Sequence, residues 1–189
     1  MSVQVRPVAP KFTRMILPKN FFYENILSIT ECGLIEKEFF ETLKIADPGA
    51  DTRSPNSFGF YDLKSTLCYV DRLTQLIEKD YGKVNFENSF TRLYQSGSSL
   101  LIHTDRDSLD VTLTINIAGI EDWDMYVSNI NYSEELFDVD YQNNCSSYKT
   151  PKGSGMACLG RIFPHWRNEL VCNDDEYVLQ LFYHWNGVV

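Results

Sequence analysis

The feature that most restricts the fold of this chain is a change in the spacing of its apolar residues near Asn85. Upstream, the spacing is helical. Leu34, Ile35, Phe39 and Leu43 make one stripe, and Leu67, Val70, Leu73, Leu76 and Ile77 make another. These stripes predict a helix capped by Thr30 and running to about Lys44, then a second helix opened by Ser65 and closed by Gly82. The stretch between them, Asp47 to Phe60, is rich in Asp, Ser, Pro and Gly and reads as a loop. Downstream of Asn85 the spacing alternates, which predicts short strands at about 90–95, 99–104, 109–118, 124–129, 156–162 and 176–185. Helices followed by strands indicate an α+β chain whose helices buttress one sheet of a β-sandwich. Asn129 to Gly155 is the longest irregular stretch, of the kind that forms functional lids. With 189 residues and no internal repeat, a single domain is expected over 1–189, divided into a helical part (1–84) and a strand-built core (85–189).

Composition narrows the function classes. A hydrophobic content of 43% with 14% aromatics excludes a disordered chain. No apolar run is long enough to span a bilayer, and Arg6, Pro7, Pro10, Lys11 and Arg14 leave no room for an apolar signal core, so no membrane association is expected. The net charge of −9 argues against general nucleic-acid binding, which needs a basic footprint. A small molecule or a peptide is the easier partner. Five cysteines (Cys32, Cys68, Cys145, Cys158 and Cys172), odd in number and without CxxC spacing, read as reduced thiols of a cytoplasmic protein. Cys158 sits in an apolar run and reads as a small buried hydrophobe.

Chemistry enters with His103-Thr-Asp105, which follows the apolar run Leu100-Leu-Ile102 and precedes the β-rich Val111–Ile117. Residues i and i+2 of a strand point to the same side, so both side chains can converge on one ion. Two histidines and one carboxylate form a facial triad, which fills one face of an octahedral Fe(II) and leaves the other for a cosubstrate and dioxygen. The third ligand in this reading is His165, 62 positions on (165 minus 103), far enough to cross a barrel and return. His184, in an apolar terminal strand, reads as a satisfied core histidine and is the remaining alternative nitrogen among three histidines. The plain alternative for the motif is a hydrogen-bonded strand histidine beside a surface aspartate.

Tyr94-x-x-Gly97-x-x-x-x-x-His103-x-Asp105, then Thr112 in an apolar strand and a distal His165, resembles the prolyl 4-hydroxylase-like branch of the 2-oxoglutarate- and Fe(II)-dependent dioxygenases. Asp105-Arg106, Trp123-Asp-Met-Tyr126-Val127 and His165-Trp166-Arg167 resemble small microbial members of that superfamily more closely still. The likeness covers roughly residues 90 to 186. It implies a double-stranded β-helix (jelly-roll) core, Fe(II) held by His103, Asp105 and His165, and 2-oxoglutarate as cosubstrate, with ascorbate as a stimulating reductant. It also implies hydroxylation of an unidentified protein side chain or small molecule. Tyr94 corresponds to a tyrosine that bonds the cosubstrate carboxylates in those families, the other reading being a half-buried strand tyrosine. Asn116 lies on the strand that supplies a cosubstrate contact.

One departure stands out. Relatives carry an Arg or Lys at the start of the last core strand to pair with the distal carboxylate of 2-oxoglutarate. Here Asp174, Asp175, Glu176, Tyr177, Val178, Leu179 and Gln180 contain no base. A buried carboxylate needs a cation or many donors, so Arg167 is expected to substitute, with Arg106 and Arg161 as alternatives; an ion pair of Arg167 with Glu169 or the 174–176 turn is the competing reading. The missing base also fits a non-catalytic, metal-binding jelly-roll protein of cupin type. A partner-binding domain whose three ligands never meet is the remaining alternative.

Overall fold

The computed structural model describes residues 20–51, 54–132 and 140–187. The basic N-terminal residues Arg6 to Arg14 and positions 133–139 of the expected lid lie outside the described residues.

The first helix, α1 (Ile29–Leu43), is capped by Ser28 rather than Thr30. A capping box accounts for the shift. Ser28 Oγ accepts from the Glu31 N–H at 3.2 Å, and Glu31 Oε2 accepts from the Ser28 N–H at 2.7 Å, so two otherwise open donors are satisfied reciprocally. Its buried face is Cys32, Ile35 and Phe39, while Leu34 turns to solvent. The second expected helix is broken into α2 (Lys64–Leu67) and α3 (Val70–Tyr81). Glu38 of α1 accepts from the Lys64 and Ser65 N–H groups at 3.0 and 2.7 Å. A carboxylate from another helix therefore caps α2, one residue ahead of the expected start. Leu73, Ile77 and Tyr81 form the inner face of α3, and Gly82 ends it at φ 84°, a conformation that glycine adopts at no steric cost.

The expected loop at Asp47–Phe60 is instead mostly strand, β2 (Gly49–Asp51) and β3 (Ser54–Tyr61), and β1 (Phe21–Tyr23) precedes α1. The first 84 residues are therefore not simply helical. Pairing overrides the turn-like composition: Phe58 lies opposite Leu93 and Phe60 opposite Thr91 of β4 (Asn85–Tyr94). Gly59 permits this close approach, because a Cβ there would lie 2.2 Å from the Thr91 carbonyl oxygen.

The remaining strands are β5 (Leu100–His103), β6 (Val111–Gly119), β7 (Met125–Ser128), β8 (Cys145–Tyr148), β9 (Gly155–Cys158), β10 (His165–Arg167) and β11 (Val178–Asn186). Periodicity did not point to β8, whose Cys-Ser-Ser-Tyr carries no apolar alternation, or to β10, which has only three residues. A seven-stranded sheet runs β1-β9-β6-β11-β4-β3-β2 and a four-stranded sheet runs β5-β10-β7-β8, with every pairing antiparallel. β9-β6-β11-β4 and the small sheet make the double-stranded β-helix of an α+β fold, and β1, β3 and β2 widen one layer. Alternation along β11 divides its side chains between two environments. Tyr183 donates from its hydroxyl to the Thr66 carbonyl at 2.6 Å, and Trp185 Nε1 donates to Thr74 Oγ1 at 2.8 Å, both toward the helices. Gln180, Phe182 and His184 face the other way, into the space between the sheets.

Candidate metal centre and inter-sheet cavity

Antiparallel pairing of β10 with β5 sets His165 directly opposite His103. Asp105, just past the end of β5, is tied in place by its N–H, which donates to the Gly160 carbonyl at 2.9 Å. His103, Asp105 and His165 each offer one ligand atom, and the three atoms lie within 4.8 Å of one another. Both His103 Nε2 and His165 Nε2 are 3.7 Å from Asp105 Oδ1. That separation is too long for a hydrogen bond and short enough for the groups to share one cation.

The neighbours set the protonation each ligand needs. His103 Nδ1 lies 2.8 Å from the Leu101 carbonyl and His165 Nδ1 lies 3.1 Å from the Phe163 carbonyl. A carbonyl oxygen only accepts, so each Nδ1 donates, and that bond turns each Nε2 toward the site. Burial pushes His165 down to about 4, against the opposing pull of Asp105, so it is neutral at pH 7. Burial opposes ionisation of Asp105, yet the neighbouring His165 and His103, then His184 and Thr112, outweigh it and hold the carboxyl well below its ordinary range. Thr112 Oγ1 donates to Asp105 Oδ2 at 2.5 Å, which leaves Oδ1 facing the histidines. Gly160 makes room for the carboxylate: a Cβ there would lie 2.0 Å from Oδ2.

A cavity opens beside these residues. β4 contributes Asn88, Phe90 and Arg92; β6 contributes Thr112 and Thr114; β11 contributes Phe182 and His184; Leu100 and Met125 line the opposite side. His184 is part of this wall rather than of the core, and its Nδ1 is 2.9 Å from Asn88 Oδ1. Behind Phe90 and Phe182 of this wall, Trp123 packs in the same apolar cluster. It meets Tyr94 edge to face at 4.8 Å and lies 4.9 Å beneath the Arg167 guanidinium.

The expected cosubstrate residues are all buried. Among the described residues, the fully buried Tyr94 has no partner on its hydroxyl and the buried Asn116 none on Oδ1. Arg167 is 1% exposed; Nη1 donates to the Trp123 carbonyl, Nη2 donates to Gln180 Oε1 at 3.4 Å, and Nε has no partner. Burial pushes its pKa down to about 10, which still leaves it charged at neutral pH. The surface ion pair considered for Arg167 is therefore corrected: its hydrogen-bond partners are neutral and internal. Arg161 pairs with Asp110 at 2.6 Å. Arg106 lines the cavity from an exposed position.

Sequence reasoning missed Arg92, Gly160 and the Asn88–His184 pair. A signal for Arg92 was available: it sits two residues before Tyr94, on the same face, as the single charge in Ser89-Phe-Thr-Arg-Leu-Tyr94. Gly160 carries no such signal, because its role is set by a side chain 55 positions away (160 minus 105).

No family model and no curated protein matches the chain. Solved structures do. A collagen prolyl hydroxylase of Paramecium Bursaria Chlorella virus-1, in complex with 2OG, superposes with TM-score 0.63 at 12% identity, over 88% of this chain and 95% of that one. A Pseudomonas putida prolyl-4-hydroxylase gives 0.63 at 13% identity over 89% and 94%. HygX from Streptomyces hygroscopicus, with nickel and 2-oxoglutarate bound, gives 0.64 at 13% identity over 89% and 83%. The likeness at such identities is one of architecture: the fold of this chain is that of the 2-oxoglutarate and Fe(II) oxygenases.

Proposed function

We propose that the chain is a single-domain 2-oxoglutarate- and Fe(II)-dependent dioxygenase that hydroxylates a peptide side chain or a small molecule. The observation that carries the reading is the convergence of His103 Nε2, His165 Nε2 and the Asp105 carboxylate on one point. Two imidazoles and one carboxylate, each oriented by a second partner, fit Fe(II) in donor type. Fe(II), when bound, supplies the oxygen-activating redox chemistry. The reaction balances with 2-oxoglutarate as reductant: one oxygen atom enters succinate as carbon dioxide leaves, and the other enters the substrate hydroxyl.

The protein's own tasks are binding, orientation and exclusion of water. The Nδ1 bonds to Leu101 and Phe163 keep both imidazoles aimed inward. Tyr94, Asn116 and Arg167 hold unpartnered polar atoms in the same interior, where a chelating keto acid would satisfy groups that are otherwise costly to bury. HygX binds nickel and 2-oxoglutarate, and the viral prolyl hydroxylase binds 2OG, which supports the same cosubstrate here. Phe90, Phe182 and Met125 line the cavity with apolar surface that limits the access of water. Among the described residues no helix is long and apolar enough to cross a membrane, and five free cysteines suit the reducing cytoplasm.

The test is conversion of 2-oxoglutarate to succinate by the Fe(II)-loaded protein with ascorbate, in the wild type and in His103→Ala. Succinate from the wild type alone supports an oxygenase. Tight metal binding without succinate in any condition would leave the non-catalytic cupin-type reading in its place.

A further inference from the structure

The inward side chains of β4 and β11 grade from closed to open in the same direction. On β4, Tyr94, Arg92 and Phe90 are buried and Asn88 is half-buried; on β11, Val178, Gln180 and Phe182 are buried and His184 is half-buried. Antiparallel register sets His184 between Asn88 of β4 and Thr112 of β6. Thr112 in turn donates to Asp105. His184 therefore stands level with the metal ligands, at the open end of the cavity. The groups allotted to the cosubstrate occupy the closed end: Asn116 is level with Gln180, Tyr94 with Val178, and Arg167 is bonded to Gln180. Gln180 and His184 are roughly 13 Å apart along the strand. The half-buried end is thus left for the second substrate.

His184 presents one nitrogen there. Its Nδ1 lies 2.9 Å from Asn88 Oδ1, and an amide oxygen only accepts, so Nδ1 donates sideways to β4. Among the described residues Nε2 has no hydrogen-bond partner. Burial pushes the ring down to about 4, so at neutral pH Nε2 is an acceptor. The ring lies parallel to Phe182 at 6.4 Å and 5°, and Phe182 faces Phe90 at 6.5 Å and 29°, which makes an apolar wall with one polar edge. The charges acting on that edge are mixed. Arg92 and Arg106 oppose a further cation, and Asp105 and Asp62 oppose an anion, so an uncharged group enters at least cost.

We propose that His184, held by Asn88, is the substrate-recognition residue of the site, accepting a hydrogen bond from an uncharged donor, a hydroxyl or amide N–H, carried beside the carbon to be hydroxylated. This rests on the oxygenase reading, since it assigns a residue to that enzyme's second substrate. Asn88 is a positioning residue, which fixes the tautomer and the tilt of the ring.

The experiment uses the Mn(II)-loaded protein saturated with 2-oxoglutarate and reads the Mn(II)-induced relaxation of the methyl protons of small probes, which reports their binding beside the ion. Propionamide carries an uncharged N–H donor, 2-butanone has a methyl group in place of the amino group, and propylammonium carries a charged donor. The wild type is expected to bind propionamide about fivefold more tightly than either of the others, the worth of one hydrogen bond. His184→Phe, which keeps a ring and loses the nitrogen, should remove the preference, and Asn88→Leu should reduce it. If His184→Phe does not fold, His184→Gln, which retains an acceptor oxygen, should keep more of the preference than His184→Met. A wild type that binds 2-oxoglutarate but shows no preference for propionamide, or a preference that survives in His184→Phe, overturns the assignment and leaves the oxygenase reading intact. A wild type that binds Mn(II) but neither binds 2-oxoglutarate nor forms succinate overturns both.

Discussion

His103 and His165 are register partners across the β5–β10 pair, their rings 4.3 Å apart and inclined at 53°. The backbone ladder, rather than a loop, brings together two residues 62 positions apart (165 minus 103). Sites on paired strands are held more closely than sites on loops. Asp105, beyond the strand end, depends on single contacts with Gly160 and Thr112. It is the ligand most open to perturbation.

Thr112→Val removes the donor to Asp105 Oδ2. Loss of such an orienting bond weakens metal binding by about 10–100-fold, and Thr112→Ser should recover most of it. Mn(II) titration of the three proteins measures this. Equal affinities would mean that Thr112 does not orient the carboxylate.

Gly160→Ala should be more severe for the metal than for the fold. The added methyl would fall 2.0 Å from Asp105 Oδ2 and 2.9 Å from Thr112 Oγ1, so the carboxylate must turn away. We expect more than about tenfold weaker Mn(II) binding with an unchanged far-ultraviolet circular dichroism spectrum. Wild-type affinity in this variant would show that the loop yields instead.

Tyr94→Phe separates ligand binding from stability. The hydroxyl is buried without a partner, so its removal relieves an unsatisfied group and should leave the thermal midpoint unchanged or higher. Affinity for 2-oxoglutarate should fall by roughly tenfold, the worth of one hydrogen bond to a charged acceptor. A lower midpoint with unchanged affinity would return Tyr94 to a purely structural role.

Acid should destabilise the metal-free protein. Burial pushes His165 and His184 down to about 4 from the ordinary 6.5. Between those values the unfolded chain takes up protons that the folded chain refuses. The stability these residues contribute is full above about pH 6.5 and is lost as the pH falls, by up to about 1.4 kcal/mol per pH unit for each imidazole. Asp105, held below the usual carboxylate range, adds a loss of the same sign at lower pH. Urea midpoints at about pH 7 and about pH 5 check the sign; a flat profile would contradict the buried neutral imidazoles.

Metal should act in the opposite direction. Mn(II) at about a hundred times its dissociation constant adds about 2.7 kcal/mol to the folded state, which is roughly 5–11 °C in Tm for a chain of this length. Asp105→Ala should abolish the gain, because the site loses its carboxylate. A gain that persists in Asp105→Ala would place the ion elsewhere.

The two-residue spacing of His103 and Asp105 marked them in the sequence, although Asp105 lies just past the end of β5 and takes its place from contacts with Gly160 and Thr112. The resemblance singled out Tyr94, which the fold buries on β4. Strands β3, β8 and β10 were not. β3 contains Pro55, Asn56 and Gly59 and owes its form to β4 alongside it, β8 is too polar to show an apolar alternation, and β10 has only three residues. The start of α2 was hidden for a similar reason, its cap being Glu38 on a different helix. In each case the determinant is a neighbour in space rather than in sequence. Arg92 is a different failure. The alternation that selects Tyr94 also selects the residue two before it, and a charge inside an apolar strand is the clearest polar anomaly that β4 contains.

The register between β5 and β10 slips, so that two steps from His165 to Arg167 answer three from His103 to Leu100. Leu100 and His103 consequently both line the cavity, and Leu101 and Ile102 stand exposed on a strand at the border of the small sheet. A border strand bearing two adjacent apolar side chains invites a second molecule to pair with it, but an interrupted ladder cannot template a regular one. The distortion that brings His103 and Leu100 to the cavity from the same short strand thus also makes that border strand a poor template for a second molecule.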